Sequence, residues 1–266
     1  MNEKEYRLEN LPEPLLDLDA GSNDSWVGVA GKEQKQVLLF DGRAVKIPQV
    51  CRFPIVRAIG NGRAIVVDTR IEKAKQVNAW VVDTDGNVKT SFCVGDGVQD
   101  VLASEKWIVV TYFDEGVFSD IEPGPEGLVV FDTSGKFKFG YQSHFGKKAV
   151  DIADCYCACW VGPHQIMFLP YTEFPLVRLD LETFTQEIYA TPKELHGSRG
   201  LTVLGDRVFC HGPYDQRDIR EWRVGNQKAA CVGQYTARLR GLGEGRFLAL
   251  GQAGYAIVSL TDHGTP

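Results

Sequence analysis

The chain has 266 residues, 29 of them Lys or Arg and 35 Asp or Glu, for a formal net charge of −6. An apolar share of 44% beside 24% charged residues is that of a globular chain able to bury a sizeable core. The acidic excess, with no dense Lys/Arg cluster, argues against a nucleic-acid partner, and no apolar run reaches the length of a membrane span.

In chain order, MNEKEYRLENLPEP has neither the apolar core nor the cleavage site of a secretory leader. Its EYRLENLP portion reads as a strand with nothing beside it to pair with. PLLDLDAG, SWVGVAGKE and QVLLFDGRAVKI follow, three apolar runs parted by turn residues, the last folding on Asp41-Gly42. PIVRAIGNG, RAIVVDTRIE and AWVVDTDGNVKTSF repeat that order and turn after Asp83. VQDVLASE, KWIVVTYFDE and GLVVFDTSGKFKFG do so again, turning after Asp132. DIADCYCACWVG, QIMFLPYTE and LVRLDLETFTQEIY turn after Asp180. RGLTVLGD, RVFCHGPYD and IREWRVGNQKAACV are a weaker fifth copy, and RLRGLGEG, RFLALGQAG and YAIVSLTDHG a sixth that stops before its last strand.

Each copy is four strands, because its third run contains a hairpin, and the copies recur every 40 to 50 residues or so, the spacing of β-propeller blades. The sequence therefore predicts an all-β, six-bladed β-propeller of four-stranded antiparallel blades, a single domain over 1–266. Closure is expected through the amino terminus, with Tyr6 and Leu8 beside Tyr255 and Ile257, which gives the orphan first strand a partner and the sixth copy its missing strand.

The chain resembles the six-bladed propellers as a whole, and VVFDTSGKFKF in the third copy is similar to the outer hairpin of an NHL-type repeat. The segment that usually joins the second and third NHL strands is missing, as are the Gly-His with Trp-Asp of WD repeats and the double Gly of kelch repeats. What the resemblance implies is the fold, not an activity.

Seven cysteines, an odd number in unrelated contexts, agree with a reducing compartment, so a cytoplasmic protein with seven reduced thiols is expected. Cys155, Cys157 and Cys159 in DCYCACW lie on one face of an extended strand. Same-face neighbours stand about 6 to 7 Å apart there, too far for three thiolates to share one ion, so packing is the reading. GLGEGR precedes no helix and is a turn rather than a phosphate loop, and HGSRG lacks the spacing of a nucleophile elbow. Asp83-Thr84-Asp85-Gly86 lacks the later acidic ligand of a calcium loop.

Position carries the functional signal. The ends of the second strands line up across blades, which puts Tyr112, Asp114 and Glu115, then Tyr171 and Glu173, then Tyr214, Asp215, Arg217 and Asp218 on one rim. His144 and His196 join it from the blade connections, and His211 ends another second strand. The longest of these loops, Asp114 to Gly127, exceeds a minimal hairpin and carries Asp120 and Glu122. A second set, Asp19, Arg57, Asp100 and Arg240 with Arg199, Asp151 and Asp154 nearby, falls on the inner strands. These charges either pair with one another or hold an anionic ligand.

The reading preferred from sequence is a non-catalytic, monomeric binding propeller whose acidic, aromatic rim on blades three to five holds a protein partner, its charge suiting a basic one such as a toxin. The residues expected to bind are Tyr112, Asp114, Glu115, Tyr171, Glu173, His196, Arg199, His211, Tyr214, Asp215, Arg217 and Arg240. No catalytic residue, metal ligand or cofactor is assigned. The alternative is a hydrolase similar to the metal-dependent lactonase propellers, using Asp96, Asp100, Asp151 and Asp154, although amide ligands are not apparent. A purely structural domain is the third reading.

Overall fold

The computed structural model describes residues 1–9, 11–21, 25–252 and 254–260, so the end of the sixth repeat, 261–266, lies outside the described residues. Strand β1 (Asn2–Arg7) comes first in the chain and last in the fold. Blade one is β2 (Leu15–Ala20), β3 (Trp26–Ala30), β4 (Val37–Phe40) and β5 (Arg43–Lys46). Blade two is β6 (Pro54–Gly60), β7 (Arg63–Asp68), β8 (Ala79–Asp83) and β9 (Val88–Phe92). Blade three holds β10 (Val98–Ala103), β11 (Trp107–Tyr112), β12 (Leu128–Asp132) and β13 (Phe137–Gly140), with α1 (Asp114–Val117) in its long loop and α2 (Tyr141–Phe145) after it. Blade four is β14 (Asp154–Gly162), β15 (Gln165–Tyr171), β16 (Leu176–Asp180) and β17 (Thr185–Tyr189). Blade five is β18 (Gly200–Leu204), β19 (Arg207–His211), β20 (Asp218–Arg223) and β21 (Ala230–Gln234).

Blade six takes β22 (Leu239–Gly243), β23 (Arg246–Gly251) and β24 (Gly254–Ser259) and is completed by β1, in the sheet order β22-β23-β24-β1. Tyr6 pairs with Tyr255 and Lys4 with Ile257, and the two tyrosine rings stack at 4.5 Å. Leu8 falls just past the end of β1. The fold is a six-bladed β-propeller of four-stranded antiparallel sheets, and none of its described helices is long and apolar enough to cross a membrane.

Middle strands are buried on both sides, which is why WIVVTY of β11 and IVV of β7 read as runs rather than alternations. Outer strands are exposed. β5, β9, β13 and β1 each carry Lys, which blunts their open edges.

The outer hairpins show why Asp recurs. Asp132 accepts the N–H groups of Ser134 (2.9 Å) and Lys136 (3.1 Å), and Asp180 those of Glu182 and Thr183 (both 2.9 Å). Each carboxylate thus folds its own turn. Asp41 works differently: it and Gly42 both have positive φ, 48° and 87°, forming the two-residue turn that suits a twisted hairpin, and its side chain accepts the Trp26 N–H instead.

The chain forms two units, each compact: Leu8–Cys155 with blades one to three, and Met1–Arg7 with Tyr156–Pro266, which holds blades five and six and nearly all of blade four. In the first unit, apolar cores lie between blades one and two and between blades two and three. In the second they lie between blades four and five and between five and six.

Candidate functional site

In the Tyr156–Pro266 unit, the turns that follow β15 and β19 bring aromatic rings together. After Tyr171 the chain turns through Thr172, Glu173 and Phe174. Phe174 takes a left-handed backbone (φ 52°) yet is 2% exposed, and its carbonyl accepts a hydrogen bond from the Thr191 hydroxyl at 2.6 Å. After His211 the chain turns through Gly212, and Tyr214 is again left-handed (φ 46°) but 64% exposed. Bulky residues avoid this region, so two of them in neighbouring turns is strain that packing must hold.

Phe174 is the hub. Tyr156, Tyr171, His196 and Tyr214 all contact its ring, at centroid distances of 5.3, 5.4, 5.2 and 6.2 Å. Tyr156 and Tyr171 stack at 6.0 Å, and the Arg199 guanidinium lies 5.4 Å from the Tyr156 centroid. Gly197 is needed beneath Tyr214: a Cβ there would come within 2.7 Å of the ring, and its own φ is +74°. The outcome is a platform with a buried floor and two exposed tyrosines, Tyr171 at 42% and Tyr214 at 64%.

Of the residues expected from sequence, the structure therefore gathers Tyr171, His196, Arg199 and Tyr214. Glu173 and Arg217 are exposed in the same two turns. Asp218 is tied to Arg220 and to Gln234, and these contacts, Gln234 foremost, hold its carboxyl below the usual range. Arg240 is half-buried on inner strand β22. The side chain of Asp215 lies outside the description. Sequence reasoning missed Tyr156 and Phe174.

Two expectations are corrected. His211 is 5% exposed, its ring nitrogen 3.1 Å from the Tyr235 carbonyl, and burial lowers its pKa, so it is a neutral core group. In the Leu8–Cys155 unit, Tyr112 is fully buried and donates its hydroxyl to the Val94 carbonyl. It belongs to the apolar cluster between blades two and three, against which Val117 of the following loop packs. Glu115 in that loop pairs with Arg70, while Asp114 is exposed.

Three inner-strand charges of this unit, Arg57, Asp17 and Asp100, pair with one another. Arg57, 4% exposed, donates to Asp17 at 2.7 Å, to Asp100, and to the Val101 and Val56 carbonyls at 2.8 and 2.7 Å. Burial works against the guanidinium charge, but Asp17, Asp100 and Asp19 outweigh it and raise its pKa. Asp17 and Asp19 also accept the Val56 and Ala58 N–H groups at 2.8 and 2.9 Å, sewing β2 to β6. Arg57 is therefore engaged within the protein and does not offer an anion site. Asp96 likewise serves Arg70 (3.1 Å) and the Ile71 N–H (2.8 Å).

A cleft of about 620 Å³ in the same unit has walls of mixed charge, including Arg52, Asp68, Arg70 and Glu72, over Cys51. Gln36 and the Cys51 backbone bond each other twice at 2.8 Å, and burial, helped by Asp68, pushes the Cys51 thiol up to about 12, which leaves it unreactive. Burial also raises Cys155, Cys159 and Cys210. None of the seven cysteines is in a disulfide. Among the described residues no three of His, Cys, Asp or Glu are grouped to hold a metal ion.

No protein-family model and no curated protein matches the sequence. Solved structures do match in fold. Virginiamycin B lyase from Staphylococcus aureus superposes with a TM-score of 0.60 at 10% identity, over 98% of this chain and 89% of the lyase. The complex of KlAtg21 with the coiled-coil of AgAtg16 gives 0.57 at 12% identity, over 90% and 78% of the two chains, and Kluyveromyces lactis Hsv2 gives 0.54 at 11%, over 89% and 71%. At such identities the likeness is one of fold.

Proposed function

We infer that this propeller is a non-catalytic binding module that holds a protein partner on the Phe174 platform. The observation that carries the reading is the pair of exposed tyrosines, Tyr171 and Tyr214, set by strained turns on a buried aromatic floor beside Arg199. Tyr and Arg dominate interface energetics because they combine a large contact area with polar ends, and Tyr, with two χ angles, loses little rotamer freedom. Strain kept in two adjacent turns supports the same reading, since it fixes the rings before any partner arrives.

Fold likeness does not choose between chemistries, as the matched propellers include a lyase and one in complex with a coiled coil. Two of the four carboxylates a lactonase-like site would use are engaged elsewhere, Asp100 with Arg57 and Asp96 with Arg70, which supports the binding reading.

A photo-crosslinking residue at position 214 tests the reading. It should trap one predominant protein in cells, and the yield should fall at least about tenfold when Tyr171 is also replaced by Ala, as for an interface hot spot. A crosslinking residue on outer strand β13, at Lys138, is the control. Equal trapping from both positions, or no response to Tyr171→Ala, would overturn the assignment.

A further inference from the structure

The loop that joins β11 to β12 in the Leu8–Cys155 unit is long but firmly built. Gly116 sits so close to the preceding blade connection that a Cβ would fall 2.5 Å from the Asp96 carbonyl oxygen, and Gly97 reciprocally would strike the Gly116 backbone at 2.3 Å. Gly124 closes onto the Gly116 carbonyl at 2.4 Å, and Gly95 onto Pro123 at 3.0 Å. Main-chain bonds run from Phe113 N–H to Gly97 C=O (3.0 Å), Phe118 N–H to Asp114 C=O (2.9 Å) and Gly124 N–H to Ile121 C=O (3.1 Å). The Ser119 hydroxyl bonds the Gly116 carbonyl at 2.9 Å. Arg70 staples the loop from blade two: it pairs with Glu115 and Asp96, and its guanidinium lies 5.6 Å from the Phe113 ring centroid.

This framework presents one large apolar side chain to solvent. Phe118, directly after α1, is 74% exposed, the highest value of any large apolar residue among those described. A folded chain gains nothing from holding Phe in water on a preorganised loop, whereas an anchor residue fixed in advance loses little entropy on docking.

Charge states the partner's chemistry. From Phe113 to Gly127 the loop contains Asp114, Glu115, Asp120, Glu122 and Glu126 and no Lys, Arg or His. Arg70 neutralises Glu115, and the Ser143 N–H and hydroxyl take up Glu126. Asp114, Asp120 and Glu122 remain, all exposed in the same loop as Phe118 and within four residues of it.

We propose that this loop is a second docking surface, in which Phe118 inserts into the apolar stripe of a basic amphipathic helix of a protein partner while Asp114, Asp120 and Glu122 pair with its flanking lysines. A helix of this kind matches both features at once, since its apolar and basic positions lie side by side along one cylinder. Its residues are not those of the Phe174 platform, so either assignment can fail without the other.

The probe is a fluorescent helical peptide with a Leu stripe flanked by Lys, titrated by anisotropy against the full chain. It should bind, and Phe118→Ala should weaken it about tenfold or more while Phe118→Trp restores it, as expected of an anchor. Asp120→Asn with Glu122→Gln should flatten the salt dependence, and Glu9→Gln with Glu72→Gln, which removes as many carboxylates elsewhere in the same unit, should leave it steep. Tyr171→Ala with Tyr214→Ala should change nothing, which separates this surface from the platform. The proposal is overturned if the peptide does not bind, if Phe118→Ala matches the parent, if a peptide with Lys but no Leu stripe binds equally, or if a Leu/Glu peptide binds more tightly. Melting curves of the variants should coincide, because Phe118 contributes little buried area.

Discussion

The inner strands of the two units are joined by different chemistry, at positions that match in the repeat. In PIVRAIGNG the run Arg57-Ala58 is locked by carboxylates: Asp17 and Asp100 take the guanidinium and Asp19 takes the Ala58 N–H. In RLRGLGEG the matching run is Arg240-Gly241, and there β22 meets β18 so closely that a Cβ on Gly241 would lie 1.7 Å from the Leu201 carbonyl oxygen. Both strands carry a register shift just beyond, at Ala58/Gly60 and at Gly241/Gly243. One repeat position thus solves the same problem twice, by charge in one unit and by the absence of a side chain in the other. The charges around Arg57 are therefore architecture, and the candidate platform lies instead where side chains remain exposed.

That contrast is broken most severely at Arg57. Arg57→Ala leaves the half-buried Asp17 and Asp100 without their cation and should destabilise the protein by about 3 kcal/mol. Chemical denaturation would show it as a lower midpoint, and Asp17→Asn with Asp100→Asn in the same chain should recover part of the loss. At the matching place in the other unit, Gly241→Ala should cost about 1 to 3 kcal/mol through overpacking, and no carboxylate change should rescue it. Rescue in the second case, or none in the first, would show that the two joints are not distinct.

Much of this was legible in the chain. The register of Asp41, Asp83, Asp132 and Asp180, with paired apolar runs, was enough for the blades, and the orphan EYRLENLP was enough for β1 in blade six. The site was less so. Tyr112 and Tyr171 close their second strands in the same way, KWIVVTY and QIMFLPY, yet one is fully buried and the other 42% exposed. A strand buried on both faces has no alternation to show which end residue leaves the core. What decides Tyr112 is its hydroxyl bond to the Val94 carbonyl, 18 residues upstream, and the apolar cluster of blades two and three that it joins. Phe174 was illegible for a related reason, since a left-handed aromatic in a turn has no sequence signature. The difference between the tyrosines is measurable: Tyr112→Phe strands a buried carbonyl and should cost about 1 kcal/mol or somewhat more. Tyr171→Phe should stay within about 0.5 kcal/mol of the parent, as exposed positions do. Equal costs would return Tyr171 to the core and weaken the platform.

In one respect the units should not differ, and here the smallest effects are expected. Asp132 in the first unit and Asp180 in the second fold their outer turns with the same device, a carboxylate bonded to its own backbone. For Asp180, the Thr183 N–H and then the Gln165 amide pull the carboxyl down to about 2 from its ordinary 3.8. Asp132 is also lowered: partial burial opposes the shift, but the Ser134 hydroxyl, Lys138 and the turn N–H groups prevail. A carboxylate whose folded pKa lies below its unfolded one adds stability that is complete above the unfolded value and is lost as the pH falls through the folded one. Stability should thus decline between about pH 4 and pH 2, each turn contributing about 0.5 to 1 kcal/mol, the scale of an exposed side-chain cap. Asn keeps the accepting oxygen and removes the titration, so Asp132→Asn and Asp180→Asn should each leave the turn formed and make that decline shallower by similar amounts. Denaturant midpoints measured across this range would test the equality, and a response confined to one variant would mean that the turns, like the inner strands, are held differently in the two units.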